Sequence, residues 1–243
     1  MSLRIWMLAP ICLSTPLIST QALAADNTPT PVWTSSAELG AAVATGNSQS
    51  TNLNAKLKIK YHDEPWTNKL RLETLRASEN GNATANRVLG SFESNYSLDK
   101  RNYVFGATRA IRDTFSGYDY QVNAATGLGH RFWMSDAGSF TLEVGPGFRR
   151  AKLTTGETSN DLIGRVNGDL EYRFSQMGKF EQELTVLAGR NNTEIESVSS
   201  LSASMTKKLA MKLSYTVQHN TQVPANTRHT DTFTSVNLVY QFE

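Results

Sequence analysis

From about residue 33 to its last residues, the chain alternates apolar and polar side chains with a period of two, and this pattern excludes most folds by itself. In the clearest stretch Thr51, Leu53, Ala55, Leu57, Ile59 and Tyr61 form one set, and Asn52, Asn54, Lys56, Lys58 and Lys60 the other. A helix would set Lys56 beside Lys60 and scatter the apolar residues, whereas a strand puts the two sets on opposite faces. The same separation recurs through Leu162 to Phe174, Leu209 to Gln218 and Asp231 to Phe242. Such runs predict about twelve strands. They begin near Trp33, Ser50, Trp66, Asn86, Asn102, Asp119, Ser139, Asn160, Lys179, Glu196, Leu209 and Thr230. Most span about 11–15 residues, longer than strands of globular sheets and suited to tilted strands that cross a bilayer in about 9–11 residues.

Composition narrows the reading further. Lys and Arg number 24 against 22 Asp and Glu, so the basic footprint of a nucleic-acid binder is missing. A mean hydropathy of −0.38 excludes a bundle of membrane helices, each needing about 20 apolar residues, but not a barrel in which only alternate residues meet lipid. A soluble β protein would expose the Leu, Val and Tyr of one face to water. The expected fold is therefore all-β: a closed antiparallel transmembrane β-barrel of about 12 strands, with short periplasmic turns and longer extracellular loops.

Residues 1–24 read as a cleaved signal peptide. Arg4 precedes an apolar run from Ile5 to Ile18 and a small-x-small site, Ala22-Leu23-Ala24. Pro10 and Pro16 argue against a buried helix, and Ile11 is too large to precede a lipidated Cys12. Cys12 is the single cysteine, so the mature chain is expected to have no disulfide and no Cys-based metal site. Residues 25–32 read as an extended periplasmic lead-in, and 33–243 as the barrel.

Turns alternate in character: Asp63-Glu64-Pro65, Asp99-Lys100-Arg101 and Lys207-Lys208 are tight, whereas Asn80-Gly81-Asn82, Thr154 to Glu157 and Gln222 to Asn226 are polar and longer. Trp33, Tyr61, Trp66, Tyr96, Tyr103, Phe132, Trp133, Phe140, Tyr172, Phe174, Phe180, Tyr240 and Phe242 all fall near the expected periplasmic ends. Amphipathic rings prefer the headgroup level, so this bias marks one membrane interface. Gly145-Pro146-Gly147 predicts a bulge or bend in strand seven. Strand five reads with Arg109 on its outer face.

Several short motifs then fall in order: Leu39-Gly40 with Thr45-Gly46-Asn47-Ser48, Arg112-Asp113 with Gly117-Tyr118-Asp119, and Gly127-Leu128-Gly129. They continue through Leu142 to Gly147, Thr206-Lys207-Lys208-Leu209 and the closing Leu238 to Phe242. In these the chain resembles the bacterial YdiY-type salt-induced outer-membrane proteins, a family of unknown function. The resemblance implies an outer-membrane location and supplies no catalytic residues. It departs at the end, where Glu243 follows the closing aromatic Phe242 that barrel-assembly machinery is expected to read.

Chemistry-bearing motifs are sparse, and neither an enzyme nor a cofactor is expected. His62 and His219 fall at opposite ends. His219 and His229 flank the last loop, where solvated histidines outweigh a metal pair. His130 reads as lipid-facing, but no His-x-Ser follows it, only Arg131-Phe132. Gly127-Leu128-Gly129 lies within a strand and is no phosphate loop. The mechanistic content lies in the polar face. Lys56, Lys58, Lys60, Lys69, Arg71 and Arg87 from strands two to four would face Glu143, Asp169, Glu171, Glu181 and Glu183 from strands seven to nine across the lumen. Arg165, Arg173, Glu73, Glu93 and Arg149 blur that division. Two readings stay open: a small or gated channel for ions or polar solutes with opposed charged walls, or a closed scaffold whose charges pair across a plugged lumen. The expected partners are outer-membrane lipid and the assembly machinery, with no nucleic acid.

Overall fold

The structure, a computed structural model, describes residues 32–45, 50–79, 82–113, 118–223 and 228–242. The expected signal segment with Cys12, all of the expected lead-in but Val32, Gly46 to Ser48, Gly117 and Glu243 lie outside the described residues. The chain forms β1 (Val32–Thr45), β2 (Ser50–Asp63), β3 (Trp66–Glu79), β4 (Asn82–Ser97), β5 (Asn102–Asp113) and β6 (Tyr118–Ser135). It continues through β7 (Gly138–Leu153), β8 (Thr158–Arg173), β9 (Gly178–Gly189), β10 (Thr193–Ser204), β11 (Leu209–Asn220) and β12 (Thr230–Phe242). Every strand pairs antiparallel with its chain neighbours, and β12 returns to β1, closing the barrel without a free edge. Links at the end holding both termini run from two residues (64–65) to four (98–101). At the other end they are of similar length except for 221–229, which carries nearly all the expected asymmetry.

The paired registers fix the barrel's width. Followed once round the sheet, outside the bulges, they return to β1 displaced by about 16 residues. With strands about 4.8 Å apart and a rise of about 3.3 Å, that stagger gives a tilt of roughly 43° and a circular radius of roughly 12 Å.

The outer wall is apolar. Leu39, Leu53 and Leu162 are 65%, 75% and 76% exposed, and Val144, Val236 and Leu238 also point outward, as a lipid-facing wall requires. At the end holding the termini the exposed rings of Trp33, Trp66, Tyr96, Phe132, Tyr172, Phe174, Tyr240 and Phe242 form a belt. The half-buried Tyr61, Trp133 and Phe140 lie at the same end. Trp33 meets Tyr61 at 4.5 Å between centroids, Trp66 meets Tyr96 at 5.0 Å and Phe132 meets Phe140 at 5.2 Å.

Two expectations need correction. Arg109 faces inward, because β5 turns its bulkiest apolar residues, Tyr103 and Phe105, into the barrel with it, leaving Val104, Gly106, Thr108 and Ala110 outside. Tyr103 therefore does not belong to the belt. The reason lies on β6, where Gly127 and Gly129 have no side chain: a Cβ on Gly129 would fall within the Tyr103 ring, and one on Gly127 against Phe105. Of the bulge or bend expected at Gly145-Pro146-Gly147, the bulge is absent. Its pairing to β8 keeps register through Pro146↔Gly164, and register to β6 is the same on either side, Ala125↔Gly147 and Leu128↔Val144. Pro146 has no N–H to donate, and it interrupts pairing without displacing it.

Candidate functional site

Inside the wall the lumen has two unlike sectors. In the sector spanned by β4 to β9, Leu89, Phe105, Ile163 and Leu187 are almost wholly buried and form apolar packing, with Ile163 and Leu187 also bordering a void. Glu143 is 1% exposed within this packing. It accepts hydrogen bonds from the Tyr103 hydroxyl (2.9 Å) and from Arg165 Nη1 (2.5 Å), so its charge is compensated rather than bare. Arg165 also lies over the Phe105 ring at 4.8 Å and reaches Glu93 on β4 at 3.3 Å.

The rest of the lumen is open, and the open space also runs along parts of β4, β5, β6 and β8. One void of about 1000 Å³ begins at the end holding the termini, between Trp33, Gln176, Lys207 and Phe242, and reaches Asn123 and Leu187. A second of about 400 Å³ is lined by Asn54, Glu73, Arg87, Ser214 and Gln218. Both are bordered by Lys58, Lys69, Arg71, Asp169, Glu181, Glu183 and Lys212.

Arg71 and Glu183 form the contact between these walls: Nη1 lies 3.2 and 3.1 Å from the two carboxylate oxygens. Their strands, β3 and β9, stand opposite one another in the ring. Extended Arg and Glu side chains reach about 7 and about 5 Å from their Cα atoms, so this bond brings the two walls to within about 15 Å. A circular barrel of the observed stagger would hold them roughly 24 Å apart. The barrel is therefore flattened along the β3–β9 direction. Further cross-lumen bonds join Arg87 to Glu196 (3.3 Å) and Arg109 to Glu194 and Glu196 (3.0 and 2.7 Å).

The sequence-derived residues distribute as follows. Lys58, Lys60, Lys69, Arg71, Asp169, Glu181 and Glu183 line the larger void, and Lys56, Arg87 and Glu171 the smaller. Glu143 lies in the packed sector instead. The opposed basic and acidic walls survive only in part. Arg71–Glu183 and Arg87–Glu196 have the expected polarity, but Arg165–Glu93 runs the other way. Lys56–Glu73 (2.9 Å) and Lys69–Glu93 (2.9 Å) neutralise within one wall, as Lys179 does with Glu181 (3.2 Å) and Glu171 (3.7 Å). Most of the transverse field is thus cancelled locally. Sequence reasoning missed Glu38 and Lys212, joined at 3.2 Å, and the Glu194 and Glu196 partners of Arg109. Their inward alternation was readable; the partner strands were not.

Among the described residues no group of three or more His, Cys, Asp or Glu is placed to hold a metal ion. His219 and His229 lie 6.3 Å apart between centroids, and His130 faces outward with Nδ1 2.7 Å from Asn102 Oδ1. Outside the strands, Asp99 caps the β4–β5 turn. Hydrogen bonds from the Asn102 side chain and from the backbone N–H groups of Asn102 and Arg101 lower its carboxyl to about 2.

The fold is that of porins. The structure of the NanC porin superposes with a TM-score of 0.58 at 14% identity, covering 84% of this chain and 98% of that one. The KdgM porin in complex with disordered oligogalacturonate gives 0.51 at 16% identity, covering 86% and 99%. An outer-membrane channel from Pseudomonas putida F1 gives 0.51 at 8% identity, covering 90% and 98%. In sequence the chain is 26% identical over 196 residues to the uncharacterized protein YdiY of Escherichia coli (strain K12), covering 80% of this chain and 77% of that one. The model of the family described as a protein of unknown function, DUF481, matches residues 37–242, and the chain belongs to that family.

Proposed function

We propose that the barrel is a narrow channel of the bacterial outer membrane for small ions or small polar solutes, constricted where Arg71 meets Glu183, and that it is not an enzyme. The observation that carries this reading is the void of about 1000 Å³ that opens at one end and runs to that bond along charged walls. Barrels of 8 strands are generally filled and those of 16–18 hold open channels, so twelve strands are compatible with a narrow passage. The buried amide of Asn123 borders this void without a protein partner, a place where water would satisfy both its atoms. The aromatic belt and apolar wall suit a membrane, with the belt end in the periplasm.

The test is single-channel recording of purified, refolded mature protein in a planar bilayer under a KCl gradient. Discrete steps with a non-zero reversal potential are expected. A silent wild-type barrel that stays silent as Arg71→Ala/Glu183→Ala would overturn the channel reading. The packed sector with Leu89, Phe105, Ile163 and Leu187 favours the second reading, a closed scaffold without transport, and that silence is its expected result.

A further inference from the structure

The strands carry few charges on their outer face, and three of them fall together. Arg76 on β3, Arg112 on β5 and Arg150 on β7 are exposed and point outward, since Leu75, Ile111 and Arg149 beside them point in. They occupy alternate strands of one sector. The registers Arg76↔Asn86, Val88↔Arg112 and Val122↔Arg150 space neighbouring arginines roughly 12 Å apart at the Cα atoms. None makes an ion pair among the described residues. In this rim Asp119 is taken by Lys152 at 3.1 Å. At the same level the opposite sector presents Leu162, Ala188, Ile195 and Val217 instead.

Their depth is what gives the row a meaning. Trp66 and Phe140, in the aromatic belt, precede Arg76 and Arg150 by ten positions on the same strands, and Asn102 at the start of β5 precedes Arg112 by ten. Ten residues tilted at roughly 43° rise about 24 Å. That is the height of the apolar band of an outer-membrane barrel, about 25 Å. With the belt at the periplasmic headgroups, the guanidinium groups stand at the headgroup level of the other leaflet, where a lipid-facing cation costs little. Below them Val88, Val122 and Phe148 are exposed on the outer wall, an apolar surface for acyl chains.

We infer that Arg76, Arg112 and Arg150 form a docking surface for the phosphate groups of a glycolipid headgroup in the outer leaflet. The chemistry follows from the residue type. A guanidinium presents paired N–H donors that match two phosphate oxygens and stays charged in a poorly hydrated setting, whereas a lysine offers a point charge. The spacing lets one headgroup bearing two phosphates span adjacent arginines. The inference rests on the proposal that the barrel spans the outer membrane with its termini in the periplasm, and it is independent of whether the lumen conducts.

The test uses the full mature barrel in detergent, titrated with lipid A and with dephosphorylated lipid A and read by native mass spectrometry. Boiled and unheated samples are compared on a gel to show that each variant is folded. Wild type is expected to bind lipid A at least about tenfold more tightly than the dephosphorylated form. Arg76→Gln/Arg112→Gln/Arg150→Gln should lose that preference while keeping its heat-dependent mobility. A triple-lysine variant should fall between them. Equal binding by wild type and the glutamine variant, or no preference for the phosphorylated lipid, would overturn the surface. Full competition by millimolar inorganic phosphate would also overturn it, as an unspecific anion site. Failure of the membrane reading is seen separately: wild type would show no heat-dependent mobility shift and would not float with lipid vesicles.

Discussion

The two sectors of the lumen solve one problem by opposite means. On the β4–β9 side the wall carries apolar packing, in which Tyr103 and Phe105 lie over the bare backbone of Gly129 and Gly127 and the buried carboxylate of Glu143 is held by Tyr103 and Arg165. Across the rest of the lumen the walls are spanned by ion pairs beside voids. Packing of the first kind contributes stability. Ion pairs of the second kind contribute little net stability, because desolvation offsets most of their attraction, but they can part and re-form. On the proposed function, the contrast sets a rigid wall beside an adjustable passage within one barrel.

The comparison can be broken from either side. The largest effect is expected from Phe105→Ala, which empties the packed sector and should cost about 3–5 kcal/mol, read as a lower urea midpoint for the folded band in detergent, with conductance little changed. A large conductance gain from this variant would show that the packed sector also sets the passage. Arg165→Met should cost about 3 kcal/mol by leaving Glu143 buried without its cation, measured the same way; Arg165→Met with Glu143→Gln should recover part of it. In the charged sector the order of effects reverses. Arg71→Ala/Glu183→Ala should change stability by under about 1 kcal/mol, since both charges leave together, while single-channel conductance rises roughly two- to threefold. Lys58→Glu with Arg71→Glu should shift the reversal potential toward cation selectivity, and an unchanged potential would remove these residues from the pathway.

The smallest effect lies outside both sectors, at the Asp99 turn. Its carboxyl titrates lower in the folded barrel than in the unfolded chain, so its contribution is complete above the ordinary Asp value of about 4. That contribution is lost as pH falls toward about 2. Hydrogen exchange of residues 98–102 should quicken over that interval in wild type and be insensitive to it in Asp99→Ala.

Much of the architecture was legible in the chain. Strand starts fall within four residues of expectation, the largest offset being at β4, which begins at Asn82 rather than near Asn86. Strand five misled for a physical reason: alternation reports polarity, and the inward residues Tyr103, Phe105 and Ile111 are as apolar as the outward ones. Arg109 was the one residue that marked the true inner face. The charged lining was legible residue by residue but not pair by pair. Nothing near Arg87 or Arg109 points to Glu196, whereas Lys56 and Glu73 follow from one hairpin.

The sequence by itself determined the number of strands, the face each residue takes along most of them, the apolar outer wall and the aromatic belt. These properties are local, set by a side-chain period of two and by the free energy of placing each residue against lipid, headgroup or interior. The stagger, the flattening and the choice of ion pairs were decided only by the closed tertiary structure. Stagger is the sum of twelve registers, none readable in isolation, and it sets the width of the lumen. Which charge meets which then depends on how close that width, and the glycine-floored packing at one side, lets the opposite wall approach.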